Sequence, residues 1–382
     1  MPPNRTALCF VVSSPATATA FLLPHIAKLE AEYDVTVIAN CPRSLDLSTL
    51  PCKVVHVPIY RDIRPLKDLW AWIRLATVIR QGRCSLVISV TPKAGFLTAL
   101  TTLTNRYSPT VHWFTGQVWA TRRGLMRLML KSIDRFTAMR AKAVLVDSPS
   151  QREFLIQEGL VPSDAALVLG PGSIAGVDTE RFRPNSSQRR MVRHHLGIPD
   201  DAFVVVFVGR SNSEKGVPEL LEALQLLRST QPIHILFIGG DEDGQLEQSN
   251  AVRLKREGRL HDLGHVSDPE HFIVAADVMC LPSHREGFGM AVIEAAACGL
   301  PSVGTRIYGL TDAIVEDVTG ILVSVSSPSE IAEGLQTLTD DPLLATRMGE
   351  EARVRVESEF RQEILTDALR DLIRTLITKH NE

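Results

Sequence analysis

The sequence predicts an α/β protein built from two doubly wound parallel sheets in tandem. Three observations predict it. Short, uniformly apolar, β-branched runs alternate with helical-period segments along the whole chain, the pattern of strands buried on both faces by helices. The formal charge of −3 is a cancellation: residues 1–183 carry +9 and residues 184–382 carry −12. The change of sign falls at RFRPNSSQRR, Arg181 to Arg190, a stretch with the Pro and paired Ser of a linker. With 382 residues, 45% hydrophobic and 22% charged, the chain can bury two ordinary cores, and disorder, collagen and coiled coil are excluded as whole-chain descriptions. The expected division is 1–183, 184–360 and a closing helix, 361–382.

In the first half the strand candidates are ALCFVV, VTVIA, KVVHV, SLVISV, TVHWF, AVLVD and ALVLG. In the second they are FVVVFVG, HILFIGG, a short piece at Leu263 to Val266, VMCLP, LPSVG and ILVSV. Helical segments fit between them, as a sheet of parallel crossovers demands. Three more helices follow the last strand. The final one, Gln362 to Lys379, places Ile364, Leu365, Ala368, Leu369, Leu372, Ile373 and Leu376 on one face and needs a surface to pack on, expected to be the first domain. The uncharged stretch Thr6 to Ala27 is broken by SSPATAT and reads as strand, turn and helix start, so no membrane span and no signal peptide is expected. The six cysteines (9, 41, 52, 84, 280, 298) contain no CxxC pair and read as small buried thiols of a cytoplasmic protein.

Two loops carry the chemistry. SHREGFGMAVIEAAACG, Ser283 to Gly299, begins directly after the VMCLP strand. Gly287 and Gly289 allow a tight turn and close approach of a ligand to the backbone, and good helix formers follow. The free N–H groups of Phe288, Gly289, Met290 and Ala291 at that helix start suit an anion. A carboxylate beside bound phosphate repels it, so Glu286 is expected to accept hydrogen bonds from sugar hydroxyls at the phosphate's edge. Glu294, one turn inside the helix, leans back toward the same ligand. The second loop, in FVVVFVGRSNSEKGVPELLEAL, puts Arg210 and Lys215 at the carboxyl edge of the same sheet, where doubly wound folds bind ligands. Arg as a fork and Lys as a point charge can hold a diphosphate. Taken singly, each charge reads as a solvated side chain; the combination in one sheet favours the site.

Other signals exclude. There is no GxGxxG after the first strand and no GxxxxGK[ST], which removes support for dinucleotide oxidoreductases and P-loop enzymes. Asp241-Glu242-Asp243 has the DxD form of a metal-diphosphate site but reads as a solvated acidic loop, because the cations already present supply the charge. The histidines form no zinc pattern. Nucleic acid is disfavoured, since aromatics are 5% of the chain and no stacking motif accompanies the basic residues.

VGR with KG five residues after the Arg, then PSxxEGFG opening an E-x7-E helix, resembles the nucleotide-sugar domain of retaining family-4 glycosyltransferases of GT-B fold. TPKAGFLTAL, HWFTGQVWATRRG, VDSPSQREFL and GSIAGVDTERFRP are similar to a bacterial subgroup that builds capsule, O-antigen and exopolysaccharide units, so the resemblance covers nearly the whole chain. It implies that Arg210 and Lys215 bind the donor diphosphate, Glu294 the ribose and Glu286 the donor sugar. The backbone of Phe288 to Met290 caps sugar and phosphate, and Gly264, His265 and Val266 lie where the family holds the base. Gly209 and Gly116, within the same motifs, join the expected substrate contacts. His112 is the nearest candidate for an assisting histidine. The turn Ser13-Ser14-Pro15 departs from the Gly-Gly loop that many relatives place against the donor phosphate.

The reaction so implied moves a sugar from a nucleotide diphosphate, UDP by likeness, to an acceptor hydroxyl with retention of configuration. No metal and no cofactor are expected, because fixed cations and helix N–H groups stabilise the departing diphosphate. The acceptor, a lipid-linked saccharide, is expected on the basic first half, with Lys93 as a candidate for its phosphate. Seven cations of Thr121 to Lys142, interleaved with Leu, Met, Ile and Phe, form a basic amphipathic helix that either docks on anionic membrane beside that acceptor or packs on the sheet with a solvated basic face. Trp70 and Trp72 on a helix from Pro65 to Arg80 are interfacial anchors or core. A non-catalytic nucleotide-sugar binder and a GT-B-like epimerase are the alternatives.

Overall fold

The structure is a computed structural model that describes residues 5–41, 50–60, 62–104 and 108–381. The chain divides into two units, Met1–Ala175 with Gln362–Glu382, and Gly176–Arg361.

The first unit holds a seven-stranded sheet: β1 (Ala7–Val11), β2 (Asp34–Ala39), β3 (Lys53–His56), β4 (Leu86–Val90), β5 (Thr110–Phe114), β6 (Ala143–Val146) and β7 (Ala166–Val168), in the order β3-β2-β1-β4-β5-β6-β7. Every pairing is parallel. Val, Ile and Leu from both faces are buried beneath the helices Pro65–Gln81, Pro92–Thr101 and Gly124–Arg140, as crossovers on both sides of a parallel sheet require. The helix Gln362–Asn381 completes the unit. Leu365, Leu369 and Ile373 are fully buried, Lys28 pairs with Asp367 at 2.7 Å, and Arg374 forks onto Glu32. Buried His25 donates from Nε2 to the Ile174 carbonyl at 2.7 Å, which leaves Nδ1 to accept from the Thr366 hydroxyl at 2.9 Å; burial holds its pKa down at about 4.

The second unit repeats the arrangement with β8 (Phe203–Val208), β9 (Ile233–Ile238), β10 (Leu260–Asp262), β11 (Val278–Leu281), β12 (Ser302–Thr305) and β13 (Gly320–Val323), in the order β10-β9-β8-β11-β12-β13, again all parallel. The order reverses direction at β8, and in doubly wound sheets the crevice that takes a ligand lies at such a switch point, here at the carboxyl ends of β8 and β11.

Three expectations are corrected. The boundary is at Ala175–Gly176, not 183–184: Phe182 is buried in the second unit's core, Val177 N–H bonds the Phe360 carbonyl at 2.7 Å, and Arg181 forks onto Glu270. The piece placed at Leu263 to Val266 is a turn, and its strand lies three residues earlier, because Gly264 takes φ +60° and its N–H is capped by Asp262 at 3.2 Å. Cys9 and Cys84 are not thiols. They sit beside the parallel pair β1 and β4, their Cα atoms 6.1 Å apart, and are joined in a disulfide, while Cys41, Cys52, Cys280 and Cys298 are free.

Candidate active site

The site is assembled from two loops at the carboxyl edge of the second sheet. The first leaves β8 through Gly209 at φ +149° and Arg210; Asn212 then caps the single turn Ser213–Lys215, its Oδ1 accepting the Lys215 N–H at 3.0 Å. Gly216 follows at φ +71°, and a Cβ there would stand 2.1 Å from the Pro282 carbonyl oxygen. Only glycine lets this loop lie directly on the second one.

The second loop leaves β11 through Pro282 and Ser283. The Ser283 hydroxyl donates to Glu286 Oε1 at 2.8 Å, and the Thr305 hydroxyl holds the Ser283 carbonyl. Gly289 caps the helix Met290–Ala297 at φ +99°, where a Cβ would press within 2.5 Å of Leu310. The Phe288 ring is buried against Phe360, which anchors the loop to the core of the second unit.

The two loops meet in ion pairs. Lys215 Nζ lies 2.5 Å from Glu286 Oε1, with both side chains mostly buried. Arg285 pairs with Glu214 at 2.9 Å, and His284 Nε2 bonds Glu219 Oε1 at 2.8 Å, a contact that raises the imidazole's pKa above its ordinary value. Sequence reasoning thus places Arg210, Lys215 and Glu286 on one pair of touching loops, and it missed the partners Asn212, Ser283 and His284. The Ser-x-x-Glu spacing of 283–286 was the available signal.

Glu294 is half-buried within the helix, and desolvation pushes its carboxyl up to about 7, opposed by the Arg181 guanidinium and reinforced by Glu270. Arg181 and Glu270 carried no signal in the sequence, because they approach Glu294 only through the fold. Gly264, His265 and Val266 form the turn after β10, and the Gly264 carbonyl accepts from Gly239 N–H at 2.7 Å, which ties that turn to the carboxyl end of β9.

The DxD stretch is exposed, as expected of an acidic loop, and its carboxylates are also bound. Asp241 accepts from the N–H groups of Gln245 and Leu246 at 2.9 Å each, Glu242 from Arg210 and Asn212, and Asp243 from the N–H and hydroxyl of Ser213. Among the described residues no group of three or more His, Cys, Asp or Glu side chains is placed to hold a metal ion.

In the first unit two candidates are corrected. His112, on β5, is 2% exposed and its ring sits edge-on to Phe114 beneath Gly95, whose absent Cβ would stand 2.2 Å from the imidazole. Nδ1 donates to the Ser89 hydroxyl at 2.9 Å, and burial lowers its pKa to about 3. The ring is a neutral core group with no open face for a substrate proton. Lys93 is neutralised by Asp68 at 2.7 Å and also donates to the Asp62 carbonyl, so it is no unpaired cation for an acceptor phosphate. Gly116 is buried at φ +101° in the loop after β5. Trp70 is exposed, whereas Trp72 packs on the core.

Residues 188–355 match the family described as glycosyl transferases group 1, and residues 15–172 match the glycosyl transferase 4-like domain. The chain is 28% identical over 347 residues, 90% of each chain, to the capsular polysaccharide biosynthesis glycosyltransferase CapM of Staphylococcus aureus. Among solved structures, HepE of Anabaena in complex with UDP and glucose superposes with a TM-score of 0.82 at 19% identity, covering 97% of this chain and 100% of that one. WaaG, a glycosyltransferase involved in lipopolysaccharide biosynthesis, does so at 0.74 and 17%, covering 95% and 98%. Two parallel Rossmann-like sheets, the two family matches that together span most of the sequence, and the loops just described agree: the chain belongs to the family-4 glycosyltransferases of GT-B fold.

Proposed function

We propose that this glycosyltransferase moves a hexosyl group from UDP to a hydroxyl of a lipid-linked saccharide, with retention of configuration, in bacterial surface polysaccharide assembly. The observation that carries the reading is the Lys215–Glu286 pair at the crevice of the second sheet. It supplies, side by side, a cation for the leaving diphosphate and an acceptor for sugar hydroxyls. In this reading Lys215 turns to the β-phosphate and Glu286 to the sugar when the donor enters. Arg210 adds a second cation, and the N–H groups at the start of the helix Met290–Ala297 add fixed dipoles. The bond from the anomeric carbon to the phosphate oxygen breaks, the acceptor oxygen bonds the same face, and its proton passes to a phosphate oxygen. No protein base and no metal are assigned. The relative in capsule synthesis and the neighbour that holds UDP support the donor and pathway class. A nucleotide-sugar donor, made in the cytoplasm, supports a cytoplasmic reaction in this reading.

A screen of UDP-, GDP- and TDP-sugars for protection against thermal unfolding tests the donor. A UDP-sugar at a hundred times its Kd is expected to add about 2.7 kcal/mol of stability. Protection by GDP- or TDP-sugars alone overturns the UDP assignment, and donor hydrolysis without acceptor-dependent product overturns the transferase reading.

Membrane docking has its own observation. The helix Gly124–Arg140 leaves Leu125 84% exposed, with Met126, Leu128, Met129 and Met139 also outward, among exposed Arg122, Arg123, Arg135 and Lys142. Arg127 and Lys131 are instead drawn onto Glu158 and over the Trp119 ring. The helix Pro65–Gln81 exposes Leu66, Leu69, Trp70 and Ile73, and both helices pack against Pro92–Thr101. Apolar side chains set among cations suit an anionic bilayer. Flotation with phosphatidylglycerol vesicles at low salt is expected to carry the wild type, and Leu125→Glu with Leu128→Glu to weaken binding about tenfold or more. Wild-type protein that stays at the bottom of the gradient removes this reading.

A further inference from the structure

The loops after β8 and β9 are zipped together in a way the donor reading leaves unused. A Cβ on Gly239 would stand 1.9 Å from the Gly209 carbonyl oxygen, so the two loops run in backbone contact. Ser211 N–H bonds the Gly240 carbonyl at 2.8 Å, and Glu242 N–H bonds the Ser211 carbonyl at 3.1 Å. That register sets Glu242 opposite Arg210, and its carboxylate accepts from Arg210 Nη1 at 3.0 and 2.7 Å. The same carboxylate accepts from Asn212 Nδ2 at 3.1 Å, and Asn212 is itself fixed by its cap on the Lys215 turn.

We propose that Glu242 is a positioning residue: it holds the Arg210 guanidinium while the site is empty and gives it up to the donor's diphosphate, so that it sets donor affinity. A carboxylate and a phosphate compete for the same N–H donors of arginine. When Arg210 turns to phosphate, Asn212 keeps its bond to Glu242 Oε2, and Oε1, on a side chain 41% exposed, is open to water. The Arg210 and Glu242 side chains are 49% and 41% exposed. An ion pair so open to water contributes little to folding, and its loss is read in binding instead. The inference rests on the assignment of Arg210 to the donor.

The test measures UDP binding by calorimetry to wild type, Glu242→Gln, Asp243→Asn and Arg210→Ala, with the unliganded thermal midpoint of each as a folding control. Glu242→Gln is expected to tighten UDP about three- to tenfold at low salt, since one competing charge is gone, and the gain is expected to shrink at high salt. Asp243 bonds Ser213 and no donor cation, so Asp243→Asn is expected to change Kd less than about twofold. Unchanged or weakened binding in Glu242→Gln, at an unchanged midpoint, overturns the inference, and equal tightening in Asp243→Asn reduces it to a general field effect and overturns the exchange. If Arg210→Ala binds UDP as tightly as wild type, the donor-site assignment fails instead.

Discussion

Lys215→Ala is expected to lower turnover at saturating donor by about 10²- to 10³-fold, the range seen when one fixed donor to a developing anion is removed. Two effects compound. The cation opposite the leaving diphosphate is lost, and the Glu286 carboxylate, bound to Lys215 at 2.5 Å, is left beside that diphosphate without the charge that balances it, held by the Ser283 hydroxyl. Glu286→Ala leaves Lys215 free for phosphate but removes the acceptor for the sugar hydroxyls, so a smaller loss of about 10- to 100-fold is expected, from misplacement of the sugar. The double variant should fall short of the product of the two, because the side chains share one interaction. Initial rates at saturating donor, with thermal midpoints as a folding control, decide the matter. Near-normal transfer by both single variants shows the site assignment to be wrong.

Glu294→Gln is expected to separate stability from binding. The folded carboxyl titrates at about 7, above its ordinary 4.5, so between these values the folded chain holds a proton that the unfolded chain has released. Stability from this group is therefore fully present below about pH 4.5, falls as pH rises, and is lost above about 7. Glutamine carries no charge to desolvate. Since Glu294 keeps partial access to water, the variant is expected to be more stable than wild type by about 1–3 kcal/mol at pH 8 and equal to it near pH 4.5. Denaturant unfolding across that range reads the difference. If the ionised carboxylate accepts the donor's ribose hydroxyls, the same variant weakens UDP binding about tenfold, the scale of one hydrogen bond to a charged group. A variant less stable than wild type at pH 8 contradicts the desolvation argument.

Much of this was legible in the sequence because buried parallel strands are uniformly apolar. The runs FVVVFVG and HILFIGG could be nothing else, and their glycines marked where each backbone had to turn. β10 slipped by three residues because it is an edge strand only three residues long, and Gly264 rather than hydropathy decides its end. Arg210, Lys215, Glu286 and Glu294 were legible as candidates because their loops need glycine at fixed offsets. Glu242 was not, since its pairing depends on β8 and β9 being neighbours, which spacing along the chain does not encode. His112 and Lys93 misled for a related reason. Strand-end position says nothing of the space that Gly95 leaves for an imidazole, or of Asp68 arriving from another helix. Pro184 and its serines look like a linker, yet Phe182 just before them is core.

The second unit is topologically an insertion. Its ends are closed on each other where Val177 bridges Arg361, and the segments entering and leaving the first unit are both bonded to His25. Domains tend to fold in order as they leave the ribosome. Here that order is inverted at the last step: the first sheet receives Leu365, Leu369 and Ile373 only after every residue of the second unit has been synthesised. The unit that begins folding first is the last to be completed, and until then the nascent chain carries an uncovered apolar surface for a chaperone to hold.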